Sequence, residues 1–123
     1  MRKPDLSIFL AIPLFICLSG AAQAAGNELR GATLYQSKCV ACHSIEYNGV
    51  GPAHKGVFNR KAGTQTGYTY SPAVQASTVV WNEVTLNKWL TNPEKFIPGQ
   101  KMGVMVPSAQ DRADLIAYLK TAH

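Results

Sequence analysis

The sequence predicts an all-α fold with a helix near each end of the domain, two or three short helices between them, and long loops making up the rest. Two observations lead to it. Apolar residues recur at helical spacing near both ends of the domain, at Leu29, Ala32, Leu34 and Tyr35 and again at Leu115, Tyr118 and Leu119. Residues 44–70 instead carry Gly49, Gly51, Pro52, Gly56, Gly63 and Gly67 with little periodicity, the composition of loop.

In chain order, residues 1–24 read as a secretory signal peptide. Arg2 and Lys3 give the positive start, Leu6 to Leu18 an apolar run broken by Ser7 and Pro13, and Ala22-Gln23-Ala24 a small-residue cleavage site. The run is shorter than the roughly 20 apolar residues that cross a bilayer, which argues against an uncleaved anchor. Phe15-Ile16 before Cys17 matches poorly the small residues that precede a lipid-modified cysteine, so Cys17 leaves with the signal. Cleavage after Ala24 leaves residues 25–123 as one domain, without repeat, low-complexity tract or linker, in the periplasm. Loss of Arg2, Lys3 and Asp5 lowers the formal charge from +5 to +4. That balance suits an acidic protein partner, and the absence of a Lys/Arg cluster argues against nucleic acid.

The first helix is expected over about Glu28 to Cys39 behind a cap at Asn27. Ser71-Pro72 opens a short turn, Asn82 to Thr91 a helix holding Leu86, Trp89 and Leu90, and Asn92-Pro93 another reaching Phe96. The last helix is expected over about Ala109 to Ala122, with Ser108 and Asp111 at capping-box spacing. Twenty-seven residues of loop between the first helix and the others need something to wrap.

Cys39-Val40-Ala41-Cys42-His43 names a candidate. In the C-x-x-C-H pattern two thiols add to the two vinyl groups of a haem and the histidine falls beneath the iron. A thioredoxin-like redox pair would follow a strand within a βαβ unit, whereas this one ends a helix. Zinc would need four ligands, and the mature chain offers no second cysteine pair beside His43, His54 and His123. A disulfide is left as a by-product of an unloaded chain. For the sixth iron position the candidates are Met102, Met105, His54 and His123; Met102 has the turn-rich context Pro98-Gly99-Gln100-Lys101, and His123 ends the chain.

Over residues 26–122 the chain resembles class I cytochrome c, the mitochondrial type and its close bacterial relatives. The resemblance lies in Cys39 to His43, Gly51-Pro52, Arg60-Lys61-Ala62-Gly63, Gly67-Tyr68-Thr69-Tyr70, Trp81, Asn92 to Met102, and Asp114 to Lys120. It implies a fold wrapped around one covalent haem c, with His43 and Met102 as iron ligands and the Pro52 carbonyl accepting from the other His43 nitrogen. It places Arg60, Tyr70, Ser71 and Trp81 around the haem propionates, and Gly31, Tyr35 and Tyr118 at the crossing of first and last helices. The chain departs from the family at His54, where a leucine is usual, and at Val74, Trp89 and Gln100, which replace asparagine, tyrosine and threonine near the methionine. After Met102 the familiar phenylalanine and lysine-rich stretch are absent.

A thioether opposite histidine favours ferrous haem and closes the iron to reactants, so the expected role is a monomeric single-electron carrier and not an enzyme. The resemblance implies a quinol-oxidising complex as donor and an oxidase, reductase or photosynthetic reaction centre as acceptor. Lys38, Lys95 and Lys101 are expected to border the exposed haem edge, with Lys55 and Lys88 more simply solvating the surface. The competing readings are an open-site haem enzyme or gas sensor, and an electron-accepting subunit of a periplasmic dehydrogenase.

Overall fold

The computed structural model describes residues 24–123; the signal segment expected over 1–24 lies outside the described residues, Ala24 excepted. Five helices follow in order: α1 (Glu28–Lys38), α2 (Pro72–Gln75), α3 (Glu83–Thr91), α4 (Pro93–Phe96) and α5 (Ala109–Lys120). No strand occurs among the described residues, only an isolated bridge between Lys61 and Val80.

Each helix begins where a side-chain oxygen relieves a free backbone N–H. Asn27 accepts from Arg30 N at 2.9 Å, Asn92 from Lys95 N at 2.9 Å, and Ser71 from Val74 N at 3.3 Å. Prolines at the starts of α2 and α4 sit where no donor is missed. The reciprocal capping box is found on α3, where Asn82 accepts from Thr85 N and Thr85 Oγ1 from Asn82 N. At α5 Ser108 accepts from Asp111 N, but the Asp111 carboxylate turns to Arg30 at 2.6 Å instead of back to the cap. That helix ends two residues before the expected Ala122.

The frame is the crossing of α1 and α5. A side chain at Gly31 would collide with the Asp114 carbonyl and come within 2.9 Å of Tyr118 Cβ, so the two backbones touch only because glycine has no Cβ. Tyr35 and Tyr118 pack one turn further on, ring centroids 5.2 Å apart. The contact is locked by Asp114, 1% exposed, which accepts from Asn27 N at 2.7 Å and Gln110 Nε2 at 2.9 Å and pairs with Arg30. These donors, the Asn27 amide foremost, hold its carboxyl below the usual range against the opposing effect of burial. Leu86, Leu90, Val106, Leu115 and Leu119 continue the core from this crossing.

The long loop is stitched by hydrogen bonds. Ala62 N donates to Val79 O at 2.8 Å, Trp81 N to Arg60 O at 2.9 Å, and Asn59 N to Trp81 O at 2.7 Å. Asn48 joins Thr66 and Ala53 through its amide, and the Tyr68 hydroxyl donates to Val50 O at 2.7 Å. The loop so fastened encloses a cavity.

Candidate haem site

The cavity measures about 310 Å³ and draws its walls from the end of α1, both limbs of the loop, α2, α3, α5 and the segment 100–106. Most of its surface is apolar, supplied by Val57, Val74, Leu86, Leu90, Leu115 and Leu119 among others. That is the lower end of the size range of small-molecule sites.

The attachment sequence opens onto it. Cys39 forms the C-cap of α1, and the turn that follows is closed by His43 N donating to Cys39 O at 2.8 Å. Cys39 and Cys42 are not joined to each other by a disulfide. Burial pushes the Cys39 thiol up to about 11. His43 Nδ1 donates to the Pro52 carbonyl at 2.8 Å, which leaves Nε2 with its lone pair. Burial lowers this imidazole's pKa against the opposing Pro52 bond, which favours the neutral ring that a metal ligand needs. Gly51 is part of the same arrangement, because a Cβ there would lie 2.6 Å from His43 Nδ1.

Of the candidates for the sixth position, Met102 lines the cavity and packs against the core. Its segment is fixed by the Gln100 side chain, which accepts from Met102 N, and by Val106 N donating to Leu90 O at 2.8 Å. Met105 is 57% exposed, and His123 lines only a small separate hollow with Gly56 and Phe58. The His54 ring stacks on that of His43, centroids 4.1 Å apart, so it lies beside the histidine and not across from it.

Arg60, Tyr70, Ser71 and Trp81 all line one cavity. Arg60 is held by the carbonyls of Lys55 and Ala53 at 2.8 and 2.9 Å and by Gln65 Oε1 at 2.5 Å. The Tyr70 hydroxyl accepts from Gln65 N at 3.1 Å, and Ser71 caps α2 from a buried position. Trp81 packs on Trp89 at 5.3 Å. Val74, Trp89 and Gln100 also face the cavity. Lys38 and Lys101 stand in its lining and are exposed, whereas Lys95 is exposed on α4 outside it and Lys55 pairs with Glu46 at 3.0 Å.

The sequence marks His54 as a candidate iron ligand and as a departure from the family, but does not show its partner. Tyr35, 2% exposed, meets His54 Nδ1 through its hydroxyl at 2.9 Å. Burial, with the nearby His43 and Arg60 adding to it, drives the His54 pKa down to about 3. A tyrosine on the apolar face of α1 was the available signal, since a buried hydroxyl needs a partner.

Two cysteine thiols, an imidazole, a thioether and a guanidinium around an apolar cavity suit an iron porphyrin with two carboxylates. An attachment sequence at a helix end, in an all-α frame closed by its first and last helices, defines a c-type haem protein. A family model described as cytochrome c matches residues 29–123. Cytochrome c of Gibberella zeae is 44% identical over 101 residues, covering 79% of this chain and 95% of that protein. Cytochrome c2 of Rhodomicrobium vannielii is 41% identical over 109 residues, covering 85% and 86%. The solved structure of cytochrome cH from Methylobacterium extorquens superposes with a TM-score of 0.75 at 41% identity, covering 78% of this chain and 99% of that one. The chain belongs to the cytochrome c family, class I. It carries covalently attached haem c and transfers electrons between redox partner proteins without being an enzyme.

Proposed function

We propose that the chain is a periplasmic carrier whose haem iron is held by His43 and Met102. Residues 1–24 direct export and are removed, and residues 25–123 work in solution as a monomer. Electrons come from a quinol-oxidising complex and pass to an oxidase, reductase or photosynthetic reaction centre. Among the described residues no helix is long and apolar enough to cross a membrane.

The observation that carries the ligand assignment is that His43 and Met102 line one cavity from segments fixed independently, one by the Pro52 carbonyl and the other by Gln100 and Leu90. Held by His43 and Met102, a haem would supply a one-electron ferrous–ferric couple, whose potential methionine ligation beside histidine would raise. The protein's part is positional. Pro52 fixes which His43 nitrogen is free, the apolar wall excludes water, and Arg60 with Tyr70, Ser71 and Trp81 forms the polar side that receives the propionates. Lys38 and Lys101 at the opening, joined by Lys95, steer acidic partners towards it.

Absorption spectra of the purified holoprotein test the assignment. A low-spin spectrum with the weak near-infrared band of methionine ligation is expected, lost in Met102→Ala and kept in Met105→Ala. A high-spin ferric spectrum with rapid carbon monoxide binding would replace the carrier by an open-site haem protein.

A further inference from the structure

His54 is a polar ring placed against the face of His43. The two ring planes lie 21° from parallel with centroids 4.1 Å apart, close enough for face-to-face contact. The Tyr35 hydroxyl meets His54 Nδ1 at 2.9 Å, and the rings themselves approach edge to face at 5.6 Å. A hydroxyl and an imidazole nitrogen are each costly to bury alone, and here each satisfies the other. Tyr35 in turn is fixed by its place in the crossing of α1 and α5, against Tyr118.

The Pro52 bond by itself leaves the His43 plane underdetermined. A single hydrogen bond to Nδ1 sets the direction of that N–H and tolerates a broad range of twist about it. A flat ring stacked on the imidazole restricts the twist, which a leucine, having no flat face, would do less well. The chain of contacts therefore runs from the helix crossing through Tyr35 and His54 to His43.

We propose that His54, anchored by Tyr35, is a positioning residue that sets the plane of the His43 imidazole over the haem. The inference rests on the proposed role of His43 as iron ligand. The plane of an axial imidazole decides which iron d orbitals of π symmetry it overlaps, and so the magnetic anisotropy of oxidised low-spin haem. Ligand orientation of this kind is among the ways a protein tunes its metal.

The test uses matured holoprotein with Tyr35→Phe, His54→Leu and both together, read by the proton shifts of the four haem methyls and by the EPR g values of the oxidised form. The wild type is examined first: a low-spin spectrum that resists carbon monoxide upholds the ligand assignment, and spectra without histidine ligation would remove the premise. The variants then judge the positioning role. Tyr35→Phe should shift the spread of the methyl resonances while the near-infrared band persists. His54→Leu should shift it further, and the double variant should match His54→Leu, because Tyr35 acts through His54. Wild-type methyl shifts and g values in Tyr35→Phe and His54→Leu, or independent addition of the two changes, would overturn the proposal with the ligand assignment intact. If His54→Leu fails to mature, Tyr35→Phe, which removes one oxygen, decides alone.

Discussion

The Arg112 guanidinium donates to the Val106 carbonyl at 2.8 Å, and so the last helix grips the far end of the segment that carries Met102. It also holds the Pro107 carbonyl at 2.8 Å and, through Nε, Asn87 of α3 at 2.7 Å. Arg112→Ala leaves three acceptors without this donor. The expected cost is about 1–3 kcal/mol, read as a lower urea midpoint at unchanged slope. The near-infrared band should fade at lower urea than in the wild type, and an unchanged midpoint would show that the grip contributes nothing.

Gly31→Ala should be tolerated poorly for a different reason. The new methyl meets the backbone of Asp114, which cannot rotate away as a side chain would. Overpacking of this kind costs about 1–3 kcal/mol or more, enough to lower the melting temperature by several degrees. Thermal unfolding followed at the haem absorbance measures it, and a wild-type melting temperature would contradict the crossing described above.

Asp114 predicts a pH dependence. Its carboxyl is held below its ordinary range in the folded chain, chiefly by the Asn27 amide. A depressed folded pKa contributes stability in full above the unfolded value of about 4, and that contribution fades as pH falls through the folded value. Urea unfolding repeated at intervals below pH 5 should show this loss. Asp114→Asn should flatten the acid limb and lower stability at neutral pH, because its amide group faces Arg30 where an oxygen stood.

Attachment through two thiols is separable from ligation. Cys39→Ser and Cys42→Ser should each leave one thioether, so pigment resists acid–acetone extraction, and the double variant should release it. The reduced pyridine haemochrome band should move stepwise as saturated links are replaced by vinyl groups. Release from either single variant would mean that only one cysteine reacts.

Electron exchange with an acidic redox partner should slow as salt rises, since the cations at the cavity mouth act over about 10 Å at 0.1 M ionic strength. Lys101→Glu and Lys38→Glu should reduce the low-salt rate by about tenfold and flatten its salt dependence. A rate indifferent to salt in the parent would remove the steering role of both lysines.

Much of this was legible in the sequence because it is encoded locally. Asn27, Ser71, Asn92 and Ser108 announce helix starts through hydrogen bonds that span three residues, and those helices begin where expected. Cys39 to His43 is likewise a chemical unit of adjacent residues. What escaped depends on approach between distant positions. The Asp111 carboxylate belonged on paper to its own cap, yet Arg30, 81 residues away, claims it. Tyr35 read as apolar filling because its partner, 19 residues on, lies in a loop without periodicity. Pairing across such a loop follows from where its ends are pinned, which no local pattern states.

Because α1 closes against α5, the first element of the domain waits for the last before its shelter is complete. The contact that closes the frame is therefore one of long sequence separation, for which the loop entropy of the intervening chain must be met before the contact rewards it.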